Sequence, residues 1–123
     1  MLIGIDILDT ERLRHYDREK LARIFTSREM DYLETKAWAL DTTTGLFCAK
    51  EAFFKAIGTG IIISRLHDVE VLHSMSGAPY YKLAPSIIKE NGLSTAKINL
   101  SISHTKDVAV AVCVIVKIDS LLG

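Results

Sequence analysis

FCAKEAFFKAIGTG, residues 47–60, is apolar on every side of a helical wheel and yet carries Lys50, Glu51 and Lys55. At about 100° per residue, Glu51 and Lys55 fall within about 40° of each other and Lys50 lies about 100° to one side, so the three make a polar stripe. The residues from Phe47 to Ile57 that are not charged cover the rest of the circumference, the pattern of a helix enclosed by protein. Such a helix needs other elements packed on most of its faces. Charges on it are costly unless they are paired, hold a metal or face a polar cleft. Glu51 and Lys55 are therefore either an i,i+4 surface ion pair or part of a site.

Working outward, Thr42, Thr43 and Thr44 offer caps for the start of this helix, and Gly58 stands at the left-handed position that ends it. Upstream, LIGIDIL at residues 2–8 reads as a first strand, with Ile3, Ile5 and Ile7 on one face and Leu2, Gly4, Asp6 and Leu8 on the other. Residues 10–23 turn helical and strongly charged. In FTSREM, Thr26 followed three residues later by Glu29 is a capping box, and Phe25 and Met30 are spaced for a hydrophobic staple.

Downstream, IIIS and DVEVL read as strand, SGAP at residues 76–79 as a turn and YYKL as the returning partner. Residues 85–91 form a short helix led by Pro85 and stopped by Gly92. INLSISH alternates, with Ile98, Leu100, Ile102 and His104 on one face and Asn99, Ser101 and Ser103 on the other. The loop TKD then joins it to the Val-rich run at residues 108–116 as a hairpin. A strand, three helices, strands, a short helix and a hairpin predict an α+β fold, an antiparallel sheet packed with helices, rather than a doubly wound parallel sheet.

The chain of 123 residues is the size of one domain, spanning residues 1–123, with no repeat or linker to divide it. Its 15 basic and 15 acidic residues balance, which argues against a nucleic-acid partner, as does the absence of an aromatic-basic platform. The longest apolar run is about half the ~20 residues a membrane helix needs, so no membrane partner is expected. MLIGIDI lacks a basic leader, and Cys48 and Cys113 lie in apolar runs without CxxC spacing. Buried free thiols fit a reducing compartment, so a cytoplasmic location is expected.

Asp6 interrupts an apolar strand face as Glu51 interrupts an apolar helix. Asp6 is either a cap for the segment that follows or one of two isolated carboxylates of a site. Two carboxylates suit Mg²⁺, which keeps several waters and completes its octahedron with substrate phosphate oxygens. Lys55 and the backbone amides of Gly58, Thr59 and Gly60 are then available to phosphates. GTG is not a P-loop, since GxxxxGK[ST] is absent. His104 is either a hydrogen-bonded core residue or a site residue; His15, His67 and His73 show no metal-ligand spacing.

GIDI at 4–7, FCAKEAFFKAIGTG at 47–60 and SISH at 101–104, with FT..E at 25–29, DVEV at 68–71 and GAP at 77–79, together resemble the holo-(acyl-carrier-protein) synthases, the small single-domain 4′-phosphopantetheinyl transferases. The resemblance implies transfer of 4′-phosphopantetheine from coenzyme A to a serine of apo acyl carrier protein, releasing adenosine 3′,5′-bisphosphate. It implies Mg²⁺ held by Asp6 and Glu51, Lys55 beside the phosphates, and a coenzyme A site lined by Gly58, Thr59, Gly60, Ser103 and His104. A water held by the two carboxylates is assigned as the base. A homotrimer with sites between subunits is also implied.

Two positions depart from the family pattern: Leu46 stands where an Arg is usual, and Cys48 where an Ala is usual. The first removes a cation that would favour a coenzyme A phosphate. An acidic carrier calls for a basic surface, and Arg12, Arg14, Arg18, Lys20, Arg23 and Arg28 outnumber Asp17 and Glu19 in residues 12–28. Arg14 and Arg18, four apart and expected on one helical face, and Arg12, nearest the Asp6 strand, are the carrier-binding candidates. On chemistry alone, a non-catalytic nucleotide- or carrier-binding domain and a Mg²⁺-dependent phosphodiesterase stay open.

Overall fold

The structure, a computed structural model, describes residues 1–118. Strand β1 (Leu2–Asp9) leads through a 3-10 turn (Thr10–Leu13) to helices α1 (Arg18–Ile24), α2 (Ser27–Thr35) and α3 (Leu40–Ile57). A second 3-10 segment (Ile63–Asp68) precedes the hairpin β2 (Val69–His73) and β3 (Pro79–Leu83). Helix α4 (Pro85–Glu90) and the hairpin β4 (Ala96–His104) and β5 (Val108–Lys117) follow. The sheets are antiparallel, β1-β5-β4 and β2-β3, and the fold is α+β as expected.

Helix α3 is the axis of the core. Leu46, Cys48, Ala49, Ala52, Phe53, Phe54 and Ala56 are buried on it, against Ala109, Ala111, Cys113 and Ile115 of β5 and Val69 and Val71 of β2. The alternation of β5 explains its packing: small residues and Ile115 point at the helix while the valines point away. Gly4 lets β1 come closest, because a Cβ there would lie 1.9 Å from the Ala52 carbonyl oxygen. The inner face of β1 is thus Leu2, Gly4, Asp6 and Leu8, and Asp6 is carried onto α3 by the same close approach.

Several expected elements differ. Residues 10–23 are not one helix: Asp17 accepts a hydrogen bond from the Lys20 amide and starts α1 afresh, after a 3-10 turn tied to Asp107 and Lys106 by Thr10. Thr43 and Thr44 do not cap α3; they lie inside it and donate to the Ala39 and Leu40 carbonyls, which satisfies buried hydroxyls without ending a helix. IIIS is not a strand. Ile63 and Ser64 instead enter the 3-10 segment, whose Leu66 carbonyl accepts from the Lys50 ammonium. The Thr26–Glu29 capping box, the β2-β3 and β4-β5 hairpins, Pro85 at the start of α4 and left-handed Gly58 (φ 85°) are as expected.

Lys50 is the largest departure from the expected polar stripe. It is fully buried and donates to Glu29 Oε1, Leu66 O and Val69 O, each at 2.8 Å. Glu29, also fully buried, accepts in addition from the Thr26 and Val71 amides at 2.9 and 2.8 Å. The capping-box glutamate is therefore also the counter-ion of a core lysine. Burial pulls the Lys50 pKa down, and the Glu29 carboxylate opposes that. Removing one partner of such a pair typically costs about 3–5 kcal/mol, since the other charge is left buried alone.

Candidate active site

Glu51 and Lys55, one turn apart on α3, meet Asp6 on β1. Lys55 Nζ donates to Asp6 Oδ1 at 2.8 Å. Asp6 is only 5% exposed while the Lys55 side chain is 52% exposed, so a buried carboxylate is held by a cation that reaches out to solvent. This is not the i,i+4 surface pair that the wheel allows, because the lysine pairs across elements. Asp6 Oδ2 is buried with no hydrogen-bond partner among the described residues.

Glu51 lies beside Asp6, and its carboxyl is pushed up to about 7, first by burial and then by the neighbouring Asp6 carboxylate, against the pull of Lys55 and Arg12. Lys55 is raised, chiefly by its hydrogen bond to Asp6. Cys48 lies on the same side of α3, three residues before Glu51, and its thiol is pushed up to about 12, by burial first and then by Asp6. It is a protonated, buried neighbour of the carboxylates. Two carboxylates forced together, one with an orphaned oxygen, fit a divalent cation of the hard, oxygen-loving kind. Among the described residues no cluster of three or more His, Cys, Asp or Glu that could hold a metal ion is formed.

Gly58, Thr59 and Gly60 follow at the C-terminal end of α3, with Gly58 and Thr59 exposed and the Thr59 hydroxyl donating to the Gly60 carbonyl at 2.8 Å. His104 keeps the expected parity with Ile98, Leu100 and Ile102, and its Nδ1 lies 3.2 Å from Asp41 Oδ2. It borders a cavity of about 170 Å³ with Tyr32, Thr42, Leu46, His73, Gly77, Pro79 and Ile102. Ser103 is on the opposite, exposed face of β4, so the structure does not bring it to this cavity. Sequence reasoning passed over His73, which stacks on Tyr32 at 3.9 Å and has a buried, unpartnered Nδ1. Its only sequence cue was a strand end near a turn.

The expected arginine face is not formed. Arg14 ends the 3-10 turn and is held by Glu11, whereas Arg18 opens α1 and lies 3.6 Å over the Trp38 ring. The break at Asp17 puts the two on separate elements. Arg12 is exposed, and its charge reaches Glu51, so it stands at the rim of the carboxylate site.

Residues 2–113 match the family model for the 4′-phosphopantetheinyl transferase superfamily. The chain is 39% identical over 117 residues to the holo-[acyl-carrier-protein] synthase of Caldicellulosiruptor bescii, a span of 91% of this chain and 94% of that one. Among solved structures, Helicobacter pylori holo-[acyl-carrier-protein] synthase in complex with coenzyme A superimposes with a TM-score of 0.79 at 27% identity, covering 94% of this chain and all of that one. The synthase from Bacillus anthracis in complex with coenzyme A (3′,5′-ADP) does so with a TM-score of 0.77 at 32% identity, covering 93% and 94%. The chain is a 4′-phosphopantetheinyl transferase by class, and within that class it belongs to the holo-[acyl-carrier-protein] synthase family.

Proposed function

We propose that this enzyme transfers 4′-phosphopantetheine from coenzyme A to a serine of an apo acyl carrier protein, releases adenosine 3′,5′-bisphosphate, requires Mg²⁺ and serves fatty acid biosynthesis in the cytoplasm. Residues 1–123 act as one transferase domain. The observation that carries this reading is the cluster of Asp6, Glu51 and Lys55, in which Asp6 keeps one oxygen paired to Lys55 and the other orphaned. Coenzyme A in complexes of two relatives supports the same substrate here.

Asp6 and Glu51 would hold the ion, which supplies charge neutralisation on the diphosphate of coenzyme A. Lys55, half in solvent, swings from Asp6 to a phosphate oxygen and keeps its charge in doing so. Arg12 at the rim adds a donor, whereas the Gly58 and Thr59 amides expected to do so are spent on the Lys55 and Phe54 carbonyls that close the C-terminal end of α3, which leaves only Gly60 of that turn. A water held by the two carboxylates takes the serine proton and passes one of its own to a carboxylate, the serine oxygen bonds to the phosphorus that carries pantetheine, and the bond from that phosphorus to the adenosine bisphosphate oxygen breaks, so that the nucleotide leaves. Such a transfer asks the protein for positioning and electrostatics rather than covalent chemistry. His104 and Ser103 are assigned to coenzyme A contacts, with His104 in the cavity and Ser103 outside it. Arg12, Arg14 and Arg18 receive the acidic carrier, although not as one helical face.

A homotrimer with shared sites is part of the proposal. Ile3, Ile5 and Ile7 are 59%, 57% and 67% exposed and register against Val114, Val112 and Val110. They form a continuous apolar sheet face of the kind that oligomers cover. The test is to incubate the protein with coenzyme A, Mg²⁺ and apo carrier and weigh the carrier. A phosphopantetheine mass increment that needs all components supports the proposal. Binding of coenzyme A with no increment would refute turnover, and hydrolysis without the carrier would indicate a phosphodiesterase.

A further inference from the structure

Lys50 takes no part in the chemistry above, yet no other side chain of α3 is tied to as many elements. Its ammonium is fully buried and joins α2 through Glu29 Oε1, the 3-10 segment through Leu66 O and β2 through Val69 O. Glu29 is itself fixed from both sides, by the Thr26 amide at the start of α2 and the Val71 amide of β2. Tyr81 of β3 adds a hydrogen bond to the Ala49 carbonyl, one residue away. These contacts all lie on the side of α3 facing α2 and the β2-β3 hairpin. Asp6 approaches from β1, which pairs with β5 in the other sheet.

The close approach of Gly4 to Ala52 and Ala56 fixes the side of α3 that faces β1, but on the side facing α2 and the β2-β3 hairpin the apolar pattern is less selective. Phe47, Phe53 and Phe54 can be accommodated in more than one setting as long as volume is kept. A buried polar pair is selective where an apolar contact is not, because a small rotation leaves its hydrogen bonds unmade. Glu51 follows Lys50 by about 100° around the helix, and Lys55 lies about 40° beyond Glu51. A rotation of about 20° moves a carboxylate ~6 Å from the axis by roughly 2 Å. That is enough to separate Glu51 from Asp6 as joint ligands.

We propose that Lys50 is a positioning residue: its buried ion pair with Glu29 sets the rotation of α3 and thereby aims Glu51 and Lys55 at Asp6. The inference rests on the reading of Asp6 and Glu51 as cation ligands, and the experiment separates the two. Lys50→Met alone leaves Glu29 charged and buried, and that variant can fail to fold. Lys50→Met with Glu29→Gln removes both charges while Gln keeps an acceptor for a backbone amide. Mn²⁺ binding to the free protein is titrated calorimetrically for wild type, the double variant, Lys50→Arg and Glu51→Gln, alongside melting temperature and steady-state kinetics.

The expected result is a double variant that melts cooperatively, binds Mn²⁺ at least tenfold more weakly, and loses at least tenfold in kcat with carrier KM unchanged. Lys50→Arg, which keeps the charge on Glu29, recovers part of the Mn²⁺ affinity. A folded double variant with wild-type Mn²⁺ affinity and kcat, while Glu51→Gln has lost both, would overturn the positioning role and leave the ligand reading intact. If the double variant does not fold, Lys50→Arg decides: unaltered Mn²⁺ affinity with a lowered melting temperature overturns the role. Unaltered Mn²⁺ affinity in Glu51→Gln would instead overturn the ligand reading itself.

Discussion

The carboxylate pair should make the enzyme less stable as it becomes ready to act. Glu51 has a folded-state pKa of about 7 against an ordinary 4.5, so the folded chain holds a proton there that the unfolded chain has already lost. Over the window between those values the folded state binds more protons, and stability therefore falls as pH rises, levelling off above about pH 7. A shift of that size corresponds to about 3 kcal/mol if taken in full. Glu51 is only half-buried and solvent screens it, so about 2 kcal/mol is the reasonable expectation. For a chain of this length that is roughly 6–10 °C in Tm.

The assay is thermal unfolding in EDTA at fixed protein concentration, from pH 4.5 to pH 8, for wild type and Glu51→Gln. Other groups titrate in the same range, so the difference between the two proteins is the useful quantity. Glu51→Gln should match wild type near pH 4.5, exceed it by about 2 kcal/mol at pH 8, and abolish transfer. Millimolar Mg²⁺ should restore wild type at pH 8 by a similar amount and leave the variant nearly unmoved. Parallel pH curves for the two proteins, or an equal Mg²⁺ shift in both, would refute the argument that these carboxylates repel each other until a cation joins them.

Three further outcomes are expected. Gly4→Ala places a methyl on the Ala52 carbonyl and should cost about 3 kcal/mol with loss of transfer, because β1 must retreat and take Asp6 with it; denaturant unfolding and activity measure both. Ile5→Asp, a charge in the middle of the apolar sheet face, should give a monomer by light scattering with reduced turnover, and an unchanged, active assembly would remove that face from the interface. Arg18→Glu should raise the KM for the carrier several-fold and flatten its salt dependence while leaving the KM for coenzyme A alone; indifference to salt and to the reversal would move docking elsewhere.

Much of the fold was legible because its determinants are local. The Thr26–Glu29 box, Pro85, Gly58 and the alternation in residues 98–116 each express their structure within a few residues of themselves. The failures are equally physical. Thr42, Thr43 and Thr44 have the chemistry of caps, but a cap is defined by where the backbone leaves the helix, and that is set by the turn around Ala37 and Trp38, both in the left-handed region. IIIS has strand propensity, but strand requires a neighbour, and among the described residues neither sheet places a strand against it; Ile63 and Ser64 enter a 3-10 segment instead. Residues 10–23 have helical charge spacing, but Asp17 is worth more as a cap than as a helix interior residue.

The candidate site divides along the same line. Asp6 and Glu51 stand out because each interrupts an apolar pattern, and an interruption is visible without knowing what lies opposite. Which lysine answers which carboxylate is not. On the wheel Lys55 is the partner for Glu51 and Lys50 stands about 100° aside, yet Lys50 is fully buried against Glu29, 21 residues earlier, and Lys55 crosses to Asp6, 49 residues earlier. Both pairs depend on packing between elements distant in the chain. Helix α3 thus carries two kinds of charge: Lys50, whose acceptors are all supplied by the fold, and Glu51 with Lys55, beside an Asp6 carboxylate with one oxygen paired to Lys55 and the other left facing a second carboxyl group. A core can tolerate the first arrangement indefinitely, whereas the second is favourable only when something positive arrives from outside.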